Sequence, residues 1–343
     1  MLASFETELR NTTGILTECV ILLNGCTDES RAIASHWKER LEVLGVKMTC
    51  LENIPALATM DSYIRAVSLA TNKYAWLFGD DDVVEKGALR CIDQVLSGNP
   101  DLGLIALNWQ SVEYDLATAV GLPRLPSGSG GIYDSCLSFA RVAGIMSLSF
   151  LGAIVVKADL FLRTETVTNR RHFETNYPQL CALIEGCGSE PTYAIEQVCV
   201  LNRLNYRLDQ STRTEGHLAV QARASVESGL ALVRALEAIG CPKDLVRSYK
   251  RNNTNHIRYA WFLLLLRATM TAADWDRLAR ELISTYSESW MVVIAIKTGC
   301  FMPKSLVRWV SSSRNRLRRI HRLSERLVVT TMSLKRSLLK AER

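Results

Sequence analysis

Three consecutive aspartates, Asp80, Asp81 and Asp82, follow Gly79 at the end of the apolar run Tyr74-Ala75-Trp76-Leu77-Phe78. Adjacent carboxylates repel one another, so a half-buried strand end gains nothing from three of them unless a cation neutralises the cluster. Hard oxygen donors of this kind suit Mg²⁺ or Mn²⁺, which keep several waters and bind through one or two carboxylates plus a ligand's phosphate oxygens. In open α/β sheets ligands bind outside the carboxyl ends of strands, which is where this cluster falls. The plain alternative is a solvated acidic turn.

The elements that must position the cluster are legible as an alternation. Tyr74–Phe78 is short, continuous and aromatic-rich, as expected of a strand buried on both faces. Upstream, Cys19–Leu23 is an apolar strand running into the turn-rich Asn24-Gly25-Cys26-Thr27-Asp28. Ser30 can cap a helix whose stripe is Ile33, Trp37, Leu41 and Leu44. Val46, Met48 and Cys50 alternate with polar residues, a half-exposed strand, and Tyr63, Val67 and Ala70 mark a helix. After the aspartates, Ala88, Ile92, Val95 and Leu96 form an amphipathic helix that stops at Gly98-Asn99-Pro100. Leu102–Leu107, Ser149–Val156 and Tyr193–Leu201 read as further strands, and from about Gly216 the pattern is helical, with Val226, Leu230, Val233 and Leu236 on one stripe. Strands alternating with helices predict an α/β fold, a mostly parallel sheet with flanking helices, followed by a helical C-terminal region. Pro123 to Gly131 is the clearest loop: a lid, an acceptor loop or an ordinary surface connection.

Composition bounds the rest. The 343 residues are 48% hydrophobic and 22% charged, a globular balance. From Phe301 to Arg343 there are 12 Lys and Arg against 2 Asp and Glu, so the net +6 of the chain resides in this tail. There Leu317, Ile320, Leu323 and Leu327 recur at helical spacing among arginines, the pattern of a basic amphipathic helix lying on an anionic membrane. No aromatic platform or nucleic-acid motif accompanies the charge, so nucleic acid is not an expected partner. Ten scattered cysteines without a C-x-x-C pair favour a reducing compartment over a disulfide framework. The first residues lack the basic-then-apolar pattern of a secretory leader, and no apolar run approaches the ~20 residues that span a bilayer.

The strand, the Asn-Gly-x-Thr-Asp loop of Asn24 to Asp28, the helix and the Tyr-x-Trp-Leu-x-Gly-Asp-Asp-Asp strand end together resemble the nucleotide-sugar half of family 2 glycosyltransferases, the abequosyltransferase-like bacterial enzymes in particular. The resemblance runs from about Glu18 to Leu96 and weakens through Ser149–Val156 and Asn176-Tyr177-Pro178-Gln179. It implies a GT-A-like (Rossmann-like) fold, a divalent metal (Mn²⁺ or Mg²⁺) and transfer of a sugar from a nucleoside-diphosphate sugar to a saccharide or polyprenyl-linked acceptor in surface polysaccharide assembly. It also implies residence in the cytoplasm, peripheral on the inner face of the cell membrane through the tail. By position, Asp80, Asp81 and Asp82 would hold the metal on the diphosphate, Asn24 and Asp28 lie beside base and ribose, and Asp61 is a second nucleotide contact. Three regions result: 1–213 GT-A-like, 214–300 helical, 301–343 basic and amphipathic.

Two departures accompany the likeness. Leu23 stands where the family usually has an aspartate that receives hydrogen bonds from the base, so either Asn24 takes over or nucleotide preference differs. The family's first strand, ending in a Pro-Thr-Tyr-Asn-like segment, has no counterpart, and Met1 opens on what reads as the following helix (Phe5, Leu9). A different start, a decayed or truncated copy, or a strand supplied by another chain would each account for this, and a sheet lacking that strand would expose unpaired edges. The resemblance places the base that deprotonates the acceptor hydroxyl in Arg171-His172-Phe173-Glu174-Thr175-Asn176, with Glu174 first and His172 second. Arg203 and Arg207, four apart beyond the last strand, can embrace a diphosphate or lie on the surface. The rival classes are a non-catalytic binding or scaffold protein and a Mg²⁺-dependent phosphohydrolase, the latter lacking an identifiable nucleophilic Asp and partner Lys.

Overall fold

The computed structural model describes residues 1–12, 17–204 and 215–254, and, within 262–296, residues 262–263, 266–267, 269–287, 292–293 and 296. The tail and Arg207 lie outside the described residues. The chain divides into two compact units, Met1–Asn205 with Ala238–Cys241, and Tyr206–Glu237 with Pro242–Arg343.

The first unit begins with α1 (Leu2–Asn11), then β1 (Glu18–Asn24), α2 (Ser30–Glu42), β2 (Lys47–Asn53), α3 (Thr59–Leu69), β3 (Tyr74–Trp76), β4 (Val83–Val84) and α4 (Ala88–Gly98). It continues with β5 (Leu104–Val112), β6 (Ala119–Val120), β7 (Gly131–Tyr133), α5 (Cys136–Ala143), β8 (Ile154–Lys157), α6 (Ala158–Leu162), α7 (Glu165–Thr168), α8 (Pro178–Cys187) and β9 (Thr192–Arg203). The α/β class with flanking helices is as expected. Strand direction is not: β1 with β2 and β5 with β9 are parallel, whereas β3–β8, β8–β5, β5–β6, β7–β9 and β4–β9 are antiparallel. Alternating strand and helix signals do not show the direction in which a strand enters a sheet, and β8 wedges between β3 and β5 running opposite to β5.

Two sheets result, β1–β2 and a seven-stranded sheet ordered β3-β8-β5-β9-β4, with β6 on β5 and β7 on β9. Among the described residues β1, β2, β3 and β4 each pair on one side only, so each is a sheet edge. β3 is accordingly three residues long rather than five, and only its Ala75 is buried. α1 spans the break, because Phe5 packs against the cores of both sheets. Glu18 at the start of β1 ties the sheets again, accepting hydrogen bonds from the backbone N and hydroxyl of Thr71 at 2.7 and 2.9 Å. The centre of the larger sheet is β5, whose Leu104, Ile105, Ala106 and Leu107 are all buried because helices cover both faces. On the smaller sheet the covered face is narrow. α2 therefore buries Ala34 and Leu41, and Ile33, assigned to its stripe, is 50% exposed.

β9 carries the main irregularity. Its pairing with β5 shifts register on either side of Asn108, so Glu196 and Gln197 have no partner there. Asn108, buried, holds this bulge: its Nδ2 donates to the Glu196 carbonyl at 2.7 Å, and its Oδ1 accepts from Leu125 N at 2.8 Å and from Trp109 N at 3.0 Å. Bulges re-aim the side chains that follow them. Beyond this one, Asn202 and Arg203 arrive opposite Ser111 and Val112, at the carboxyl end of β5.

The second unit contains α9 (Glu215–Ala238), α10 (Lys243–Thr254) and α11 (Ala272–Thr285). Val226, Leu230, Val233 and Leu236 of α9 are all buried, as the spacing predicts, and so are Leu245, Val246, Trp275, Leu278 and Leu282. No helix of the described residues is long and apolar enough to cross a membrane. The nine described cysteines are free thiols.

Candidate functional site

The three aspartates leave β3 at its carboxyl end and separate at once by environment. Asp80 is exposed, Asp81 is half-buried and Asp82 is 3% exposed. Asp82 is held from the end of β9: Asn202 Nδ2 donates to its Oδ1 at 2.9 Å, and the Arg203 backbone N–H donates to the same carboxylate. Burial nevertheless dominates, and together with the neighbouring charge of Asp81 it pushes Asp82 up to about 6 against the hydrogen bonds that favour ionisation. Tyr63 of α3 faces the same charges, its hydroxyl raised by burial first and then by Asp81 and Asp82. The N-terminal end of α1 lies within reach of all three aspartates and of Arg203, so the positive end of its dipole is turned toward the cluster.

Two glycines flank Asp82 Oδ2. A Cβ on Gly79 would sit 3.1 Å from Asp82 Oδ2 and 3.0 Å from Asp81 Oδ1. A Cβ on Gly152 would sit 3.4 Å from the same Oδ2 and 2.9 Å from Phe150 Cζ. Gly152 is fixed in place by its carbonyl, which accepts from Trp76 Nε1 at 2.7 Å. One buried carboxylate, a second half-buried beside it and glycine walls fit a cation bound mainly by water and a ligand's phosphates. They do not fit a fully protein-ligated metal, because among the described residues no group of three His, Cys, Asp or Glu side chains is arranged to hold one. We expect Gly152→Ala to weaken cation-dependent ligand binding about tenfold while shifting the melting temperature little, since Phe150 must move onto the ligand side of Asp82. Calorimetric titration alongside a thermal melt checks this.

Arg203 belongs to this cluster by its backbone. Its guanidinium lies over the Tyr114 ring at 5.2 Å, and its Nε is buried with no hydrogen-bond partner. The other nominated residues occupy two neighbouring turns. Asn24 interlocks the β1 and β2 ends: its Nδ2 donates to the Leu57 carbonyl at 2.9 Å, and its Oδ1 accepts from Leu57 N at 2.8 Å and from Asn53 Nδ2 at 3.1 Å. Its carboxamide is thus committed to shaping the loop. Leu23 beside it is buried in the core. Asp28, fully exposed, accepts from Ser30 N at 3.0 Å just ahead of the Glu29 N-cap of α2, and hydrogen bonds from Ser30 hold its carboxyl below the usual range.

Asp61, in the first turn of α3, is paired with Arg170 at 2.7 Å. That pair ties α3 to the turn carrying His172 and Glu174. Arg170 and His172 both adopt left-handed backbone, φ 52° and 62°, a conformation costly for residues with a Cβ. The His172 carbonyl accepts from Thr175 N and Oγ1, closing the turn, and Glu174 is exposed on it. The aspartates and Arg203 are therefore together, and Asp61, His172 and Glu174 share a second assembly, joined to the first through α3 and Tyr63. Sequence reasoning missed Asn202, Tyr63 and Gly152. A carboxamide ending the apolar Val198-Cys199-Val200-Leu201 run was the one available signal.

No protein-family model matches the chain, and no curated protein does. Among solved structures it is similar to S. aureus TarS 1-349, at 12% identity and a TM-score of 0.45 over 92% of this chain and 88% of that one. It is also similar to a S. aureus TarS structure at 11% identity and a TM-score of 0.47, over 83% of this chain and 51% of that one. Likeness at this level carries no argument about chemistry, which rests on the site.

Proposed function

We propose that the chain is a glycosyltransferase that moves a sugar from a nucleoside-diphosphate sugar to a saccharide or polyprenyl-linked acceptor in surface polysaccharide assembly. The observation that carries this reading is Asp82: a carboxylate buried at a strand end, held by Asn202 and Arg203, with two glycines beside its Oδ2. Such a group is costly until a cation neutralises it. Asp82, with Asp81 or Asp80, would hold Mn²⁺ or Mg²⁺ against the diphosphate, and the metal would neutralise charge on the departing nucleoside diphosphate. The buried Nε of Arg203 has no hydrogen-bond partner among the described residues, and Arg207 follows it in sequence. The loop shaped by Asn24 and capped by Asp28, with Asp61, forms the nucleoside side. Glu174, or else His172, takes the proton from the acceptor hydroxyl. The basic tail, residues 301–343, would bring the protein to an anionic membrane at the inner cytoplasmic face, where a lipid-linked acceptor resides.

Titration of UDP, GDP, CDP and dTDP with Mn²⁺ and then EDTA tests this. Micromolar binding of one nucleotide, lost with EDTA, is the expected result. Absence of binding by folded protein overturns it. A second reading, a non-catalytic nucleotide or scaffold protein, is favoured by the split sheet and the committed Asn24 amide. It differs in predicting nucleotide binding without sugar transfer.

A further inference from the structure

A second cleft, of about 540 Å³, opens between α4, the start of β7 and the first half of β9. It falls within the size range of small-molecule sites. Its polar lining is Gln94 of α4, Asn99 just after α4 and Glu196 of β9, with Gly130, Gly131 and Tyr193 also lining it. The aspartate cluster is elsewhere: β9 advances seven residues from Ile195 to Asn202, on the order of 20 Å.

Three features give this cleft a chemistry. First, Glu196 is half spent. Its Oε1 accepts from Gly128 N at 2.8 Å, which pins the Pro123–Gly131 loop, and its Oε2 is left facing Gly130. Second, the loop wall is kept bare. A Cβ on Gly130 would lie 3.1 Å from Glu196 Cβ and 3.3 Å from its Oε2, and Gly131 at φ +116° occupies backbone space that other residues rarely adopt. Third, the facing helix offers carboxamides. Asn99 commits its Nδ2 to the Val95 carbonyl at 2.9 Å and keeps its oxygen, and Gln94 is exposed. No Lys, Arg or His lines the cleft, so nothing there favours a phosphate or carboxylate ligand. A carboxylate and carboxamides matched to groups that both donate and accept, over a partly exposed aromatic ring, complement the hydroxyls and C–H face of a sugar.

We propose that this cleft is a binding site for an uncharged saccharide. Glu196 and Gln94 take its hydroxyls, the Tyr193 ring supports one face, and the Pro123–Gly131 loop is the wall of this site rather than a lid over the aspartates. The inference rests on the cleft alone and stands whether or not the aspartates bind nucleotide.

The test is titration of the isotope-labelled full chain with maltose and N,N′-diacetylchitobiose, followed by backbone amide shifts. The expected result is saturable millimolar binding of at least one disaccharide with shifts confined to residues 94–99, 128–131 and 193–197. Glu196→Gln should weaken it at least tenfold and Gly130→Val should abolish it, whereas Asp82→Asn should leave it unchanged. Lack of saturable shifts with both disaccharides, shifts elsewhere, or inorganic phosphate binding in the cleft overturns the proposal. So does binding that survives Glu196→Gln, the deciding variant if Gly130→Val fails to fold.

Discussion

Replacing Asp82 with asparagine is expected to remove cation-dependent nucleotide binding and, at the same time, to stabilise the ligand-free chain. The two effects share one cause. Asp82 titrates near 6 in the folded chain because burial, its largest influence, disfavours the charged form. Unfolded, the same carboxyl titrates near 4. The folded state therefore holds its proton more tightly than the unfolded state, and the metal-free chain loses stability as pH rises from about 4 to about 6. Two pKa units at 1.36 each place the cost at pH 7 near 3 kcal/mol, an upper figure. Asparagine turns its carbonyl to Asn202 Nδ2 and carries no charge, but it offers one acceptor fewer to the Arg203 N–H. The net gain expected at pH 7 is about 1–3 kcal/mol, vanishing below about pH 4. Urea midpoints at pH 4 and pH 7 measure it. Loss of the carboxylate should weaken nucleotide binding in Mn²⁺ by at least about 100-fold, near 3 kcal/mol. A variant that bound as tightly as the parent, or that was less stable at pH 7, would falsify the assignment of Asp82.

The second large effect is expected at Asn108, which never touches the cluster. Asn108→Leu keeps the volume but leaves the Glu196 carbonyl and the N–H groups of Leu125 and Trp109 without their side-chain partner. Buried polar groups stranded in this way cost about 1–3 kcal/mol each, so a loss of about 3–5 kcal/mol is expected. For a unit of this size that lowers the melting temperature by roughly 10 °C. The functional consequence follows from register. The bulge that Asn108 holds determines which β9 residues emerge at the sheet's carboxyl end, and Asn202 is one of them. Nucleotide affinity should therefore fall in the folded fraction as well. A variant that lost stability but kept full affinity would show that β9 reaches its end point without the bulge.

What was legible in the sequence was what local pattern determines. The Tyr74–Phe78 run with its aspartates, the buried core of β5 and the α9 stripe each follow from residue types at fixed spacing. What was not legible depends on partners distant in the chain. Asp82 differs from Asp80 because it is buried and because β9 delivers Asn202 to it, 120 residues away. Tyr63 reads as one more member of a helical stripe until the cluster is seen beside it. Ile33 belongs to a well-formed stripe yet stays half-exposed, because a two-stranded sheet offers too little surface to cover it. Ser30 has the right type to cap α2, but it is the first helical residue, Glu29 takes the cap position, and Asp28 accepts the Ser30 N–H.

The central claim is that the buried carboxylate of Asp82 meets a cation on a diphosphate. X-ray diffraction at the manganese edge, from crystals grown with Mn²⁺ and whichever nucleotide binds, tests it most directly. One anomalous peak is expected about 2 Å from a carboxylate oxygen of Asp82, with the remaining ligands from phosphate oxygens and water. A nucleotide bound with no peak there, or with the metal held by other residues, would contradict it.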